Sequence, residues 1–107
     1  MFATNRALMS AGMKGDRRLT RDQASRLKHW RGARDKSLIW IVTWNTRDYP
    51  WQAVARPHLI DDIGIIHPLK YVLLADSTNV LRELLPPGLV RISRDPFDDP
   101  SIMETWV

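Results

Sequence analysis

From Leu38 to Trp44 every residue is aliphatic, aromatic or β-branched. A run of this kind predicts a strand covered on both faces. Asn45 to Asp48 has turn chemistry, and Tyr49-Pro50-Trp51 leads into a second extended segment, Gln52–Leu59, with weaker alternation. Pro57 has no N–H to give a ladder, which places that segment at an edge or ends it there. Asp61-Asp62-Ile63-Gly64 turns the chain, and Ile65-Ile66 return it to His67-Pro68. Leu69–Ala75, nearly apolar throughout, predicts a third strand. Val80, Leu81, Leu84 and Leu85 then recur at helical spacing behind Asp76 or Ser77 as N-cap, and Pro86-Pro87-Gly88 stops that helix. Leu89–Ser93 predicts a fourth strand, Asp95–Pro100 a tight loop, and Ile102–Val107 a fifth strand.

Ahead of Ser37 the pattern changes. Residues 1–18 hold two glycines, scattered charge and no periodicity, so they predict a disordered arm. Met9 and Met13 are alternative starts to Met1. A helix is predicted over 19–34: Thr20 and Gln23 have capping-box spacing, Leu19 can staple against Ala24, and Asp22 suits the first turn. Ala24, Leu27 and Trp30 give it a narrow apolar stripe, and Gly32 weakens its end. The expected architecture is a single α+β domain over 37–107, preceded by the basic arm 1–36. Its order is α-βββ-α-ββ, with about five strands in a small, largely antiparallel sheet and a helix after strand three.

Charge divides the chain at the same place. Residues 1–36 carry ten Lys/Arg against three acids, a balance of +7; residues 37–107 carry six against nine, a balance of −3. Such asymmetry favours contact with nucleic acid, an anionic surface or an acidic partner. Arg17, Arg18, Arg21, Arg26, Lys28 and Arg31 are the candidate phosphate contacts. Trp30 either stacks on a base or packs with Leu27 on the sheet, and packing is the simpler expectation. The chain has no cysteine, so disulfides, thiolate catalysis and Cys-ligated zinc are excluded. No apolar run reaches the roughly 20 residues of a membrane helix, and no signal-peptide pattern opens the chain, so the cytoplasm is the expected compartment.

Candidate chemistry is sparse. His29, His58 and His67 lie in separate segments without metal-ligand spacing. Asp95, Asp98 and Asp99 lack the glycine and distal glutamate of a calcium loop, and turn formation explains them better. Ser77 is sufficiently explained as a cap, and no nucleophile-elbow, Walker, RNP-like or zinc-finger pattern is present. No enzyme activity, cofactor or metal is expected.

The C-terminal half carries Leu85-Pro86-Pro87-Gly88-Leu89 and Arg91, then Asp98-Asp99-Pro100, then Glu104 and Trp106. In this it resembles a recurring tail of short proteins from bacteria and their mobile elements, across about 38–107. The resemblance implies a compact fold and brings no activity with it. The strand order is also similar to the antitoxin half of some toxin–antitoxin pairs, a likeness of fold alone. The expected function is a small non-enzymatic interaction protein, a regulator, inhibitor or antitoxin-like module, with Tyr49, Trp51 and Phe97 as aromatic anchors for a protein partner. A homodimer through strand five is compatible with the pattern. The alternative is a nucleic-acid-binding accessory factor using the basic helix.

Overall fold

The computed structural model describes residues 15–107, so residues 1–14 of the disordered stretch expected over 1–18 lie outside the described residues, while Arg17 and Arg18 of that stretch form a strand. In chain order the elements are β1 (Arg17–Arg18), α1 (Arg21–Arg26), β2 (Ser37–Trp44), β3 (Ala53–Ile60), β4 (Ile66–Pro68), β5 (Tyr71–Ala75), α2 (Thr78–Leu84), β6 (Arg91–Ile92) and β7 (Ile102–Trp106). The strands form one sheet in the order β1-β5-β3-β2-β7-β6, with β4 also paired to β3. All pairings are antiparallel except β1 with β5, which is parallel.

The class is α+β, but the expected five-strand layout with a helix after strand three is overturned. Among the described residues the sheet has seven strands and is mixed, and α2 follows the fifth of them. Two strands were invisible for different reasons. β1 is only Arg17-Arg18 and has no apolar signal; backbone alone adds it to the sheet, with Arg17 N–H donating to the Lys70 carbonyl (2.9 Å) and Leu19 N–H to that of Val72 (2.8 Å). β4 and β5 are separated by a register shift. β3 pairs His58–Ile60 with Pro68–Ile66 and Ala53–Ala55 with Ala75–Leu73, so Arg56 and Pro57 face a longer stretch, Leu69 to Val72.

That shift also explains how Pro57 sits inside a central strand instead of ending one. The Pro57 carbonyl accepts from Leu69 N–H at 3.0 Å. A strand residue directs its N–H and C=O to the same side, so the missing N–H of Pro57 falls on the irregular seam between β4 and β5. The ladder to β2 continues through Trp40↔Pro57.

The helix expected over 19–34 is the six-residue α1 followed by 3-10 turns at Leu27–His29 and Arg31–Ala33. Its start follows the capping box: Gln23 N–H donates to Thr20 Oγ1 (3.1 Å) and Thr20 N–H to Gln23 Oε1 (2.9 Å). Trp30 has extended backbone (φ −66°, ψ 138°) and breaks the helical path. Its indole lies on Gly32, where a Cβ would come within 2.4 Å of the ring. Thus Trp30 turns away from the sheet, while Leu19, Ala24 and Leu27 join Trp40, Val42, Ala53, Ala55, Leu73 and Leu81 in the main core. Both helices contribute to this one face of the sheet, and among the described residues no helix is long and apolar enough to cross a membrane.

Register puts Glu104 opposite Val42, hence on the helix-covered face. It is 5% exposed and fully satisfied. Arg82 Nε donates to both carboxylate oxygens at 3.1 Å, and Arg82 Nη2 adds a short ion pair. Arg91 Nη1 (3.3 Å) and Trp106 Nε1 (3.0 Å) complete the set. The hydrogen bonds from Arg82 hold the Glu104 carboxyl below the ordinary carboxylate range against the opposing effect of burial. One carboxylate therefore ties α2 and β6 to β7.

Candidate interaction surface

The opposite face of the sheet presents Ile39, Ile41, Thr43, Val54, Arg56, His58, Val72 and Leu74, by alternation from the register. No helix among the described residues covers it. The loop after β2 folds Tyr49 onto Val54, Val72 and Leu74 as a second, smaller core. Tyr49 is 8% exposed, and its hydroxyl donates to Asp16 Oδ2 at 2.8 Å. Arg56 makes a bidentate pair with the same carboxylate, Nη1 to Oδ1 at 2.8 Å and Nη2 to Oδ2 at 2.7 Å, and also donates to the Leu69 carbonyl at 2.9 Å. The hydrogen bond from Arg56 pulls the Asp16 carboxyl down, while burial, helped by Asp16, pushes the Tyr49 phenol far up. Asp16 thus fastens the segment ahead of β1 across this face.

Beside this pairing lies a cavity of about 340 Å³, bordered by Ile41, Tyr49, Arg56, His58, Asp99 and Ile102 among others. Burial pushes the His58 imidazole down, favouring the neutral ring. Its Nδ1 is 3.0 Å from the Arg56 carbonyl, which can only accept, so Nδ1 carries the proton and Nε2 keeps its lone pair. Among the described residues no group of three or more His, Asp or Glu could hold a metal ion.

Two loops meet at the end of the sheet where β2 stops and β7 begins, joined by Trp44 N–H donating to the Ser101 carbonyl (3.1 Å). Each holds out one aromatic side chain: Trp51 is 72% exposed and Phe97 98%. Neither loop is slack. Asn45 and Trp51 both have left-handed backbone, with φ of 54° and 58°. Asn45 Oδ1 accepts from Trp51 N–H at 2.8 Å. In the second loop Asp95 Oδ1 accepts from Phe97 N–H (2.8 Å), Asp98 Oδ2 from Asp95 N–H (3.0 Å), and Asp99 Oδ1 from both the N–H and the hydroxyl of Ser101. The acids of this loop are occupied as turn formers.

Of the three expected aromatic anchors, then, Trp51 and Phe97 are exposed on neighbouring loops, and Tyr49 is core. The basic residues do not form one surface. Arg17 and Arg18 lie on the β1 edge with side chains on opposite faces, and Arg18 Nη2 donates to the Leu74 carbonyl at 3.2 Å. Arg26 pairs with Asp22 at 2.5 Å. Arg21, Lys28 and Arg31 are exposed on α1 and the turns beyond it, with half-exposed Trp30 among them. The strand proposed for a homodimer, β7, has β2 on one side and β6 on the other.

Asp16 and Arg56 were missed by sequence reading. Arg56 carried a signal, since an arginine between Ala55 and Pro57 in an apolar strand requires an acid; which acid, forty residues away, it does not say. Comparison of the chain with protein-family models, with curated proteins and with solved structures gives no match. Any functional reading therefore rests on the side chains themselves.

Proposed function

We propose that the chain is a small non-catalytic interaction module, a regulator, inhibitor or antitoxin-like protein, that binds a protein partner through Trp51 and Phe97. Trp51 carries the reading. A tryptophan in left-handed backbone is held at a cost of about 1–2 kcal/mol, and here that conformation directs a large apolar ring into solvent. Fixed aromatic anchors lose little entropy on binding, and tryptophan dominates many interface centres. The clustered charges of the fold are meanwhile engaged in structural pairings, Asp16 with Arg56 and Glu104 with Arg82 and Arg91, which suits a scaffold rather than a reacting centre.

Affinity capture from lysate of the source cells tests this, comparing the full-length chain with Trp51→Ser/Phe97→Ser at about 150 and 500 mM salt. A protein retained by the wild type at both salts and lost from the variant is the expected result. Retention unchanged by the variant overturns the reading. The nucleic-acid alternative is favoured by the exposed Arg21, Lys28 and Arg31 beside Trp30. It would appear in the same experiment as bound nucleic acid that falls away steeply with salt and is indifferent to the aromatic substitutions.

A further inference from the structure

On the helix-covered side, the 3-10 turns after α1 and the Pro86-Pro87-Gly88 turn after α2 leave between them a second cavity of about 380 Å³. Its apolar walls include Leu38, Trp40, Leu89 and Val107, and Lys28 and Lys36 line it as well. Neither lysine has an ion-pair partner among the described residues, and no acid precedes Asp16 in the chain to supply one. Ser25 also lines the cavity, but its hydroxyl proton is spent on the Arg21 carbonyl at 3.0 Å. Trp40, 1% exposed, is the largest of these apolar walls.

We propose that this cavity binds a small carboxylate with an apolar body. The body fits the walls formed by Leu38, Trp40 and Leu89, and the size lies in the range of small-molecule sites. Lys28 and Lys36 supply the cationic side that a carboxylate needs. A cationic amphiphile finds no acidic side chain among the described lining residues, and a neutral one leaves both lysines unanswered. Aliphatic and aromatic acids share the recognised chemistry.

The test is a titration of the 15N-labelled full-length protein followed by NMR, with octanoate, 2-naphthoate, 1-octanol and octylammonium as probes. Saturable shifts are expected for at least one of the two acids, at the amides of Ser25, Lys28, Lys36, Gly88 and Leu89, with a Kd near 0.1–1 mM, on the order expected for so few atoms. The alcohol and the ammonium should bind at least about tenfold more weakly, and Lys28→Gln/Lys36→Gln should weaken the acid by about tenfold. Both lysines are exposed, and an unchanged circular dichroism melt shows that the variant is folded. Which acid binds names the aliphatic or the aromatic source. The proposal is overturned if octanol binds as well as octanoate, if the lysine variant binds unchanged, if the shifts centre on the loops around Trp51 and Phe97, or if neither acid saturates by about 5 mM.

Discussion

Among the described residues Glu104 is the one on which most side-chain bonds converge, and its energetics have a definite sign. Its carboxyl, ordinarily near 4.5, is lowered by Arg82, and Asp16, ordinarily near 3.8, is lowered by Arg56. A depressed carboxylate contributes stability that is complete above its unfolded pKa and is lost as pH falls through the folded value. Urea unfolding midpoints should therefore be level from pH 7 to about 5.5 and decline below about 4.5. Arg82→Ala leaves the nearly buried Glu104 with only Arg91 and Trp106. Because Arg82 itself is partly solvated, the expected loss is moderate, about 1–3 kcal/mol at pH 7, with a shallower decline in acid. An acid slope equal to that of the wild type would remove Arg82 from this role. At this scale the caps were legible, since Thr20 with Gln23 and Ser77 with Val80 N–H satisfy helix ends through local spacing. The partners of Arg56, Glu104 and Tyr49 were not, because each is chosen by register or by a loop path that no local pattern encodes.

Among the elements, the loop after β2 has a stability cost located where the proposed binding energy would be. Trp51→Gly relieves the left-handed backbone and removes a mostly exposed ring. It should leave the thermal midpoint unchanged or raise stability by up to about 1 kcal/mol, while lowering partner capture. A buried tryptophan would instead lose several kcal/mol on such truncation, about 3–5 by the usual range. A large destabilisation by Trp51→Gly would show that the ring supports the fold and does not serve as an anchor. The long runs behave differently. β2, expected at Leu38–Trp44 and found at Ser37–Trp44, was legible because a continuous β-branched and aromatic stretch has few other solutions. The expected strand Leu69–Ala75 corresponds to β5, whereas β4 lies in what the pattern gives as the return of a turn, because its pairing depends on the bulge opposite Pro57; β1 has no signal because a two-residue strand is defined by its neighbour rather than by its own side chains. Trp30 shows the same limit: helical spacing put it on the buried stripe, but its own extended backbone and the space over Gly32 took it elsewhere.

Across the whole molecule, the division suggested by charge does not coincide with the division of packing. The basic segment supplies β1 to the sheet edge, Leu19, Ala24 and Leu27 to the main core, and Asp16 to the pairing on the opposite face. A fragment of residues 37–107 should consequently lose its cooperative thermal transition and its near-ultraviolet circular dichroism. A sharp melt close to that of the full chain would show the segment to be dispensable to folding. The basic side chains are thus displayed by a structured part of the protein, and charge reversal within the intact chain is the appropriate way to probe them.

The position of β7 has a consequence for how the chain is made. β7 covers the side of β2 away from β3, yet it follows β2 by about sixty residues. At a synthesis rate of about 5–20 residues per second, that separation corresponds to about 3–12 s. Throughout this interval β2, with its continuous apolar run from Leu38 to Val42, has one edge for which its partner does not yet exist. β7, translated after the other described strands, is the one that covers that edge of β2.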